Sequence, residues 1–350
     1  MAAENKMLDA TLVESNPDPI NLDELKRAGK IFKENAGASI LDIGDGISLL
    51  EFHTKANSLN DEICEMIMVA CGEGARHFDA LVIGNRGKHF CAGANLPFVL
   101  VSARAEKWAD VEKTLRAFQT AAMTLKHGPL PVVAAPFSGA LGGGCEVCLH
   151  STRVVASEST HLGLVETGVG LIPAGGGTKE LGLHAHYRAA EQGLANPLPA
   201  LQKSFELIAY AKVSRNGTEA KQIFLTDADS VVVVQESPIA IAKQAALELV
   251  RSGHRNGPPQ TDVPVLGTKG LRVFQSRIQQ MREAKTISEH DAVIQLQVAT
   301  ILCGGNQPAG IQSEQHFLDL EREAFLSLLG TKKTQERIEF LLKNGRPLRN

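Results

Sequence analysis

Pro131-Val132-Val133-Ala134-Ala135, followed at once by Ser138-Gly139-Ala140-Leu141-Gly142-Gly143-Gly144-Cys145-Glu146, is the stretch that decides the fold. A short, wholly apolar run predicts a strand buried on both faces, and the glycine-rich turn after it opens a helix. Three glycines at a helix start leave backbone N–H groups facing whatever sits there, because the first turn has no internal acceptors. Outward from this point the same alternation recurs. Ala80-Leu81-Val82-Ile83 is a second apolar strand, a helix spans about 106–126, and Val154-Val155-Ala156 is a third strand. Upstream, Ser39-Ile40-Leu41-Asp42-Ile43 and Ile47-Ser48-Leu49-Leu50-Glu51-Phe52 flank Gly44-Asp45-Gly46 as a β-hairpin. Asn60 then precedes a helix with Ile63, Met66, Ile67, Ala70 and Cys71 on one face. Strands separated by helices predict an α/β protein with a covered parallel sheet.

The flanks divide the chain into three parts. Residues 1–37 read as a leader or linker: Asn16-Pro17-Asp18-Pro19, then a short helix capped by Asn21 with Leu22, Leu25, Ile31 and Phe32 on one side. Residues 38–254 form the core, mainly helical from about 178, with one more apolar strand at Val231 to Val234. Residues 255–350 begin with a loop over 255–265. They continue as a helical region with patterns near 268–285, 288–303, 313–329 and 332–343.

The 350 residues carry 36 Lys and Arg against 39 Asp and Glu, a net charge of −3. That balance gives no electrostatic reason to expect nucleic acid or an anionic membrane as partner. With 43% hydrophobic and 21% charged residues, disorder and coiled coil are excluded for the whole chain. No apolar run is long enough for a membrane span, and the N-terminus lacks the layout of a secretory signal. Six cysteines in a chain this long suit a reducing compartment, so a cytoplasmic location is expected.

Three glycine-rich segments carry the candidate chemistry. The first is Gly84-Asn85-Arg86-Gly87-Lys88-His89-Phe90-Cys91-Ala92-Gly93-Ala94-Asn95-Leu96, directly after a strand, where α/β proteins place binding loops. The second ends on Glu146, an acid that helix-dipole complementarity alone would explain. The third runs Leu164-Val165-Glu166-Thr167-Gly168-Val169-Gly170-Leu171-Ile172-Pro173-Ala174-Gly175-Gly176-Gly177-Thr178. Glu166 sits there in an uncharged run, and desolvation raises a carboxyl pKa toward the range of proton transfer. Other features carry less. Cys145-Glu146-Val147-Cys148 lacks the second pair of a zinc site, and in Gly175-Gly176-Gly177-Thr178-Lys179 the lysine follows the threonine, unlike a P-loop. His184 and His186 read as surface residues, Cys64 and Cys71 as helix-core residues.

Together the motifs resemble the enoyl-CoA hydratase (crotonase) family. The matching text is Phe90-Cys91-Ala92-Gly93-Ala94-Asn95-Leu96, Gly139-Ala140-Leu141-Gly142-Gly143-Gly144-Cys145-Glu146, Glu166, and Gly170-Leu171-Ile172-Pro173-Ala174-Gly175-Gly176-Gly177-Thr178. Weaker likeness begins at Lys55-Ala56-Asn57-Ser58-Leu59-Asn60 and returns at Thr334-Gln335-Glu336-Arg337. The likeness is greatest to the hydratase half of bacterial bifunctional 3-hydroxyacyl-CoA dehydrogenase/enoyl-CoA hydratase proteins. It implies a crotonase-like spiral of ββα units in two nearly perpendicular sheets, with a helical C-terminal region. It implies an oxyanion hole from the backbone N–H groups of Ala94 and Gly143, with Glu146 and Glu166 as the catalytic acids and bases. The implied reaction is reversible hydration of a trans-2-enoyl-CoA in fatty-acid β-oxidation, with isomerisation of an enoyl-CoA as the alternative. A scaffold or RNA-binding relative is a third reading, disfavoured by the charge balance and the two glutamates. No cofactor or metal is implied, since CoA enters with the substrate. The expected partners are an acyl-CoA thioester, copies of the chain as a trimer or hexamer, and a dehydrogenase or thiolase. Departures are Asn95 where most members carry Asp, Thr178-Lys179-Glu180 in place of the usual continuation, and extra sequence at about 184–200 and 255–312.

Overall fold

In the computed structural model, which describes residues 18–194, 196–233 and 238–350, Asn21 caps α1 (Leu22–Arg27) by accepting from the N–H groups of Asp23 and Glu24. The helix stops early because Gly29 turns the chain at φ +70°. Ile31 and Phe32, expected on the same helix face, instead begin β1 (Ile31–Glu34), paired antiparallel with β2 (Ala38–Asp42). Part of the expected leader is thus built into the sheet, and a Lys26–Glu51 ion pair of 2.6 Å anchors α1 to it. The linker-like Asn16-Pro17 lies outside the described residues. β2 returns into β3 (Ile47–Phe52) through Gly44-Asp45-Gly46, all three at positive φ. Asn60 caps α2 (Asp61–Cys71), which buries the face its periodicity predicts.

A unit then repeats three times: one strand enters the large sheet, a second extended segment joins a smaller layer, and a helix or turn follows. In the first unit β4 (Ala80–Ile83) leads to Cys91, which bridges to Ala140, and then to α3 (Leu96–Arg104) and α4 (Trp108–His127). The second is β5 (Val132–Ala134), β6 (Gly139–Leu141) and α5 (Gly143–Leu149). The third is β7 (Arg153–Ser157), β8 (His161–Gly163) and a 3-10 turn at Glu166–Val169. Then come α6 (Gly177–Glu191), α7 (Leu198–Ala209), α8 (Gly217–Ile223), β9 (Ser230–Val232) and α9 (Ile239–Arg251). The large sheet has the order β1-β2-β3-β4-β5-β7-β9, parallel from β3 onward, and β6 pairs parallel with β8. The last apolar strand therefore begins and ends earlier than expected, and Val234 lies outside the described residues.

The segment 255–265 is not loop throughout. It ends in β10 (Val263–Val265), which pairs antiparallel with β11 (Gly310–Gln312) across α10 (Gly267–Glu283) and α11 (Glu289–Leu302). α12 (Glu314–Leu329) and α13 (Lys332–Asn344) follow.

Strand alternation sorts the core. Leu49, Val82, Val133 and Val155 point to one side, where α9 covers them with Ala242, Ala246 and Leu249. Leu50, Leu81, Ile83, Val132, Ala134 and Val154 point to the other. That second core runs without a break through α2 and α4 into the helices of residues 255–350. Thr334 Oγ1 donates to the Gly170 carbonyl (2.8 Å), so α13 braces the turn that begins at Glu166.

Candidate active site

The repeat explains how residues far apart in sequence converge. Cys91 lies beside Ala140, and Ala140 beside Leu162. Continuing from each by the same number of residues reaches Ala94, Gly143 and Val165, with Glu166 next and Glu146 one turn into α5. Ala94, Gly143, Glu146 and Glu166 all line one cavity of about 340 Å³.

Glycine is required where the segments touch. Gly142 has φ +54° and ψ −121°, and a Cβ there would lie 2.8 Å from Glu166 Oε1. Gly93, at φ +92°, packs so closely that its Cβ would lie 3.3 Å from the Leu141 carbonyl oxygen. Gly143 is the first residue of α5, a position whose N–H has no intrahelical acceptor. The neighbouring Asn95, in place of the more usual Asp, caps α3 by accepting from Phe98 N–H at 3.3 Å.

Both glutamates have buried carboxyl oxygens, but Glu146 is buried as a residue while Glu166 is half-buried, and their surroundings differ. Glu146 Oε1 accepts from Gly175 N–H and Gly177 N–H, each at 2.8 Å. Burial raises the Glu146 pKa, while these two bonds and the Lys179 charge pull against it. Glu166 is raised by burial and then by the proximity of Glu146, and its Oε2 is buried without a hydrogen-bond partner. Two such carboxyls cannot both ionise cheaply, so one proton shared by the pair is the natural state near neutrality, with Glu166 the better holder.

The rest of the cavity is apolar. Leu59, Val99, Val111, Leu115, Phe118 and Phe325 face it, with Asn60, Asp61 and Glu62 at its polar side and no Lys, Arg or His in the lining. Phe118 from α4 and Phe325 from α12 were not foreseen, because a lone aromatic on an amphipathic helix looks like core. Among the described residues none from 184–200 or 255–312 lines this cavity; the extra sequence lies in the end of α6, the start of α7, and the segment β10-α10-α11-β11. Replacing Gly175 by Ala would push a methyl into the Phe118 ring and to 2.8 Å from Glu146 Oε2. Thermal unfolding should show Gly175→Ala destabilised by about 1–3 kcal/mol.

Behind the site lies a buried ionic cluster. Lys179 Nζ contacts Glu180 and lies 2.7 Å from Glu314 Oε2, and both carboxylates also receive Lys126 at 2.8 and 3.2 Å. Burial alone would raise Glu180 and Glu314, but the two lysines hold Glu180 well below the usual range, and the His127 hydrogen bond with the same two lysines does so for Glu314. His150 Nδ1 donates to the Glu146 carbonyl at 2.7 Å, and burial lowers this imidazole to about 3. It is neutral, so its 3.4 Å approach to Glu180 is no ion pair.

The weaker motifs resolve in the same way. Cys145 and Cys148 are free, buried thiols, and among the described residues no group of three or more His, Cys, Asp or Glu could hold a metal ion. Burial also pushes Cys64 and Cys71 up to about 12, as inert core thiols. His184 is not a surface residue: it faces a small cavity of about 80 Å³ with Cys148 and Asp229, and its Nδ1 is enclosed. The amides of Gly175, Gly176 and Gly177 are taken by protein carboxylates, as the non-P-loop order of Thr178 and Lys179 suggests.

Comparison with known proteins gives the family and the fold. Residues 42–195 match the family described as Enoyl-CoA hydratase/isomerase. A rat protein named methylglutaconyl-CoA hydratase, mitochondrial, is 32% identical over 277 residues, covering 77% of this chain and 78% of its own. The chain belongs to the enoyl-CoA hydratase/isomerase family, the crotonases, and is an enzyme of that class. A Bacillus subtilis protein named "Probable 3-hydroxyacyl-CoA dehydrogenase" is 42% identical over 340 residues, or 97% of this chain. The chain spans only 42% of that relative, and 22% of a Rickettsia felis fatty acid oxidation complex trifunctional enzyme. The fold matches an enoyl-CoA hydratase from Rhodobacter sphaeroides with a TM-score of 0.60 at 17% identity, over 90% of this chain and 92% of that one.

Proposed function

We propose that this chain is an enoyl-CoA hydratase, adding water reversibly to trans-2-enoyl-CoA to give 3-hydroxyacyl-CoA in fatty-acid oxidation. The observation that carries the reading is the pair of unequal buried carboxyls on one apolar cavity also lined by Ala94 and Gly143, whose backbone N–H groups would form the oxyanion hole. The thioester oxygen sits between those two N–H groups, which stabilise the negative charge that develops on it. Glu146, whose two amide bonds favour its ionised form, takes a proton from water as the hydroxyl adds to Cβ. Glu166, holding the shared proton, delivers it to Cα. One O–H and the C=C π bond break, one C–O and one C–H bond form, and the proton passes back between the carboxyls through solvent. An isomerase needs a single carboxyl to shuttle its proton, so two on the cavity favour hydration.

The step as written uses no metal and no redox cofactor; CoA arrives with the acyl group. The apolar lining suits a hydrocarbon acyl chain. The match to a dehydrogenase-named relative of more than twice the length supports action beside a 3-hydroxyacyl-CoA dehydrogenase, which would oxidise the product. Assembly as a trimer or hexamer and a thiolase partner belong to the same proposal. No described helix is long and apolar enough to cross a membrane. Free buried thiols suit the reducing cytoplasm.

Incubation with 3-hexenoyl-CoA and with crotonyl-CoA, followed by mass spectrometry for gain of water and by the ultraviolet absorbance of the conjugated enoyl thioester for isomerisation, separates the readings. Gain of one water by crotonyl-CoA supports the hydratase; conversion of 3-hexenoyl-CoA to its 2-isomer with no hydration of crotonyl-CoA supports the isomerase. The rate should also be bell-shaped in pH. Both carboxyl pKa values are raised, so activity falls at low pH when the pair takes up a second proton, and at high pH when it loses its last. The acid limb should lie above pH ~4.3, the value of an ordinary Glu.

A further inference from the structure

We propose that Glu321, on α12 of the C-terminal helical region, is a positioning residue for Glu146, acting through the Gly175–Gly177 loop. The proposal rests on the hydratase reading for its kinetic consequence but not for its geometry.

α6 has an unusual start. Its cap is Gly176, at φ +104°, which has no side chain to offer the first-turn amides. Two remote carboxylates satisfy them instead. Glu146 takes Gly175 N–H and Gly177 N–H, and Glu321 takes the amides between and beyond: Gly176 N–H on Oε2 and Lys179 N–H on Oε1, each at 2.7 Å. Four amides in five residues are thus divided between two fully buried acids. The loop can hold Glu146 in place only while Glu321 holds the loop. Room for adjustment is small, since a Cβ at Gly176 would lie 2.6 Å from His150 Nε2 and one at Gly177 2.9 Å from Glu146 Oε1.

The helix that carries Glu321 is itself clamped. Glu314, two turns earlier on the same face, binds Lys179, and Phe325, one turn later, lines the cavity. Glu146 from α5 and Lys179 from α6 act on Glu321 directly. Behind them lie His150, Glu180, Lys126 and Glu314. Burial and Glu146 both raise the Glu321 pKa, so Glu321 is the neutral partner while Glu146 titrates, and its action on Glu146 runs through the loop amides.

The test uses Glu321→Gln and Glu321→Asp in the full chain, read by steady-state kinetics with crotonyl-CoA and by ¹³C NMR titration of the Glu146 carboxyl, assigned with Glu146→Gln. Gln keeps the volume but offers an amide group to one of the two N–H donors. Its kcat should fall on the order of 10–100-fold with KM nearly unchanged, the signature of lost transition-state geometry. The Glu146 titration should move to higher pH, because the two loop amides that favour its ionised form loosen. Asp keeps the carboxyl but retreats from the loop, so the titration and kcat should both stay displaced, in the same directions as in the Gln variant. A folded Gln variant with wild-type kcat and an unmoved Glu146 titration overturns the proposal. If wild type itself does not hydrate crotonyl-CoA, the hydratase reading has failed, and the NMR titration alone decides the coupling.

Discussion

Glu146→Gln and Glu166→Gln each lower kcat for crotonyl-CoA hydration on the order of 10²–10⁴-fold, with KM little changed. Gln is isosteric and can still accept Gly175 N–H and Gly177 N–H at position 146, so the cavity survives; what is lost is the capacity to take or give a proton. The same variants carry a second, opposite signal. Both native carboxyls have pKa values raised above the unfolded chain's, so each costs stability once pH exceeds the unfolded value of about 4.3, up to its folded value. Glu166→Gln should therefore melt higher than wild type at pH 8 and equally at pH 4. A group held ionisable in an apolar cavity for chemistry stabilises nothing there. Near-wild-type turnover in either variant removes that glutamate from the mechanism.

Lys179→Met destabilises the protein by about 3–5 kcal/mol, the usual consequence of removing one partner from a buried ionic group. Lys179 is fully buried, and its loss leaves Glu180 and Glu314 to share a single lysine, Lys126, with His127 still bonded to Glu314. The sign with pH follows from the depressed carboxyls: the cluster's contribution is present above the unfolded carboxyl pKa and disappears as pH falls through the folded values. The gap between variant and wild type in a urea titration should accordingly be widest near pH 7 and narrow in strong acid. Adding Glu314→Gln to Lys179→Met should recover part of the loss, because one stranded charge goes with it. Equal urea midpoints for wild type and Lys179→Met at pH 7 would mean that the cluster is solvated.

How much of this was legible beforehand follows from the range of the interactions. The hairpin over 38–52, the Asn60-capped helix and the strands at 80–83, 132–134 and 153–157 rest on local periodicity and turn chemistry, and the chain obeys them. The glycine motifs pointed to Ala94, Gly143, Glu146 and Glu166, and the strand register brings those four to one cavity. Ile31 and Phe32 misled because two apolar neighbours fit a helix face or a strand equally well; Gly29 decided between them. Glu321 could not be read at all. It acts on Gly176 across 145 residues, and as one acid on an amphipathic helix it looks like solvent-facing charge. His184 failed for the same reason: burial is set by packing against the 224–229 segment, which no local pattern encodes.

The most direct test of the account adds the purified chain to crotonyl-CoA without NAD and follows the ultraviolet absorbance of the conjugated enoyl thioester over a dilution series of enzyme. The account predicts absorbance loss in proportion to enzyme, ending at a hydration equilibrium. No loss with crotonyl-CoA or with a long-chain trans-2-enoyl-CoA, from a folded protein, would contradict it.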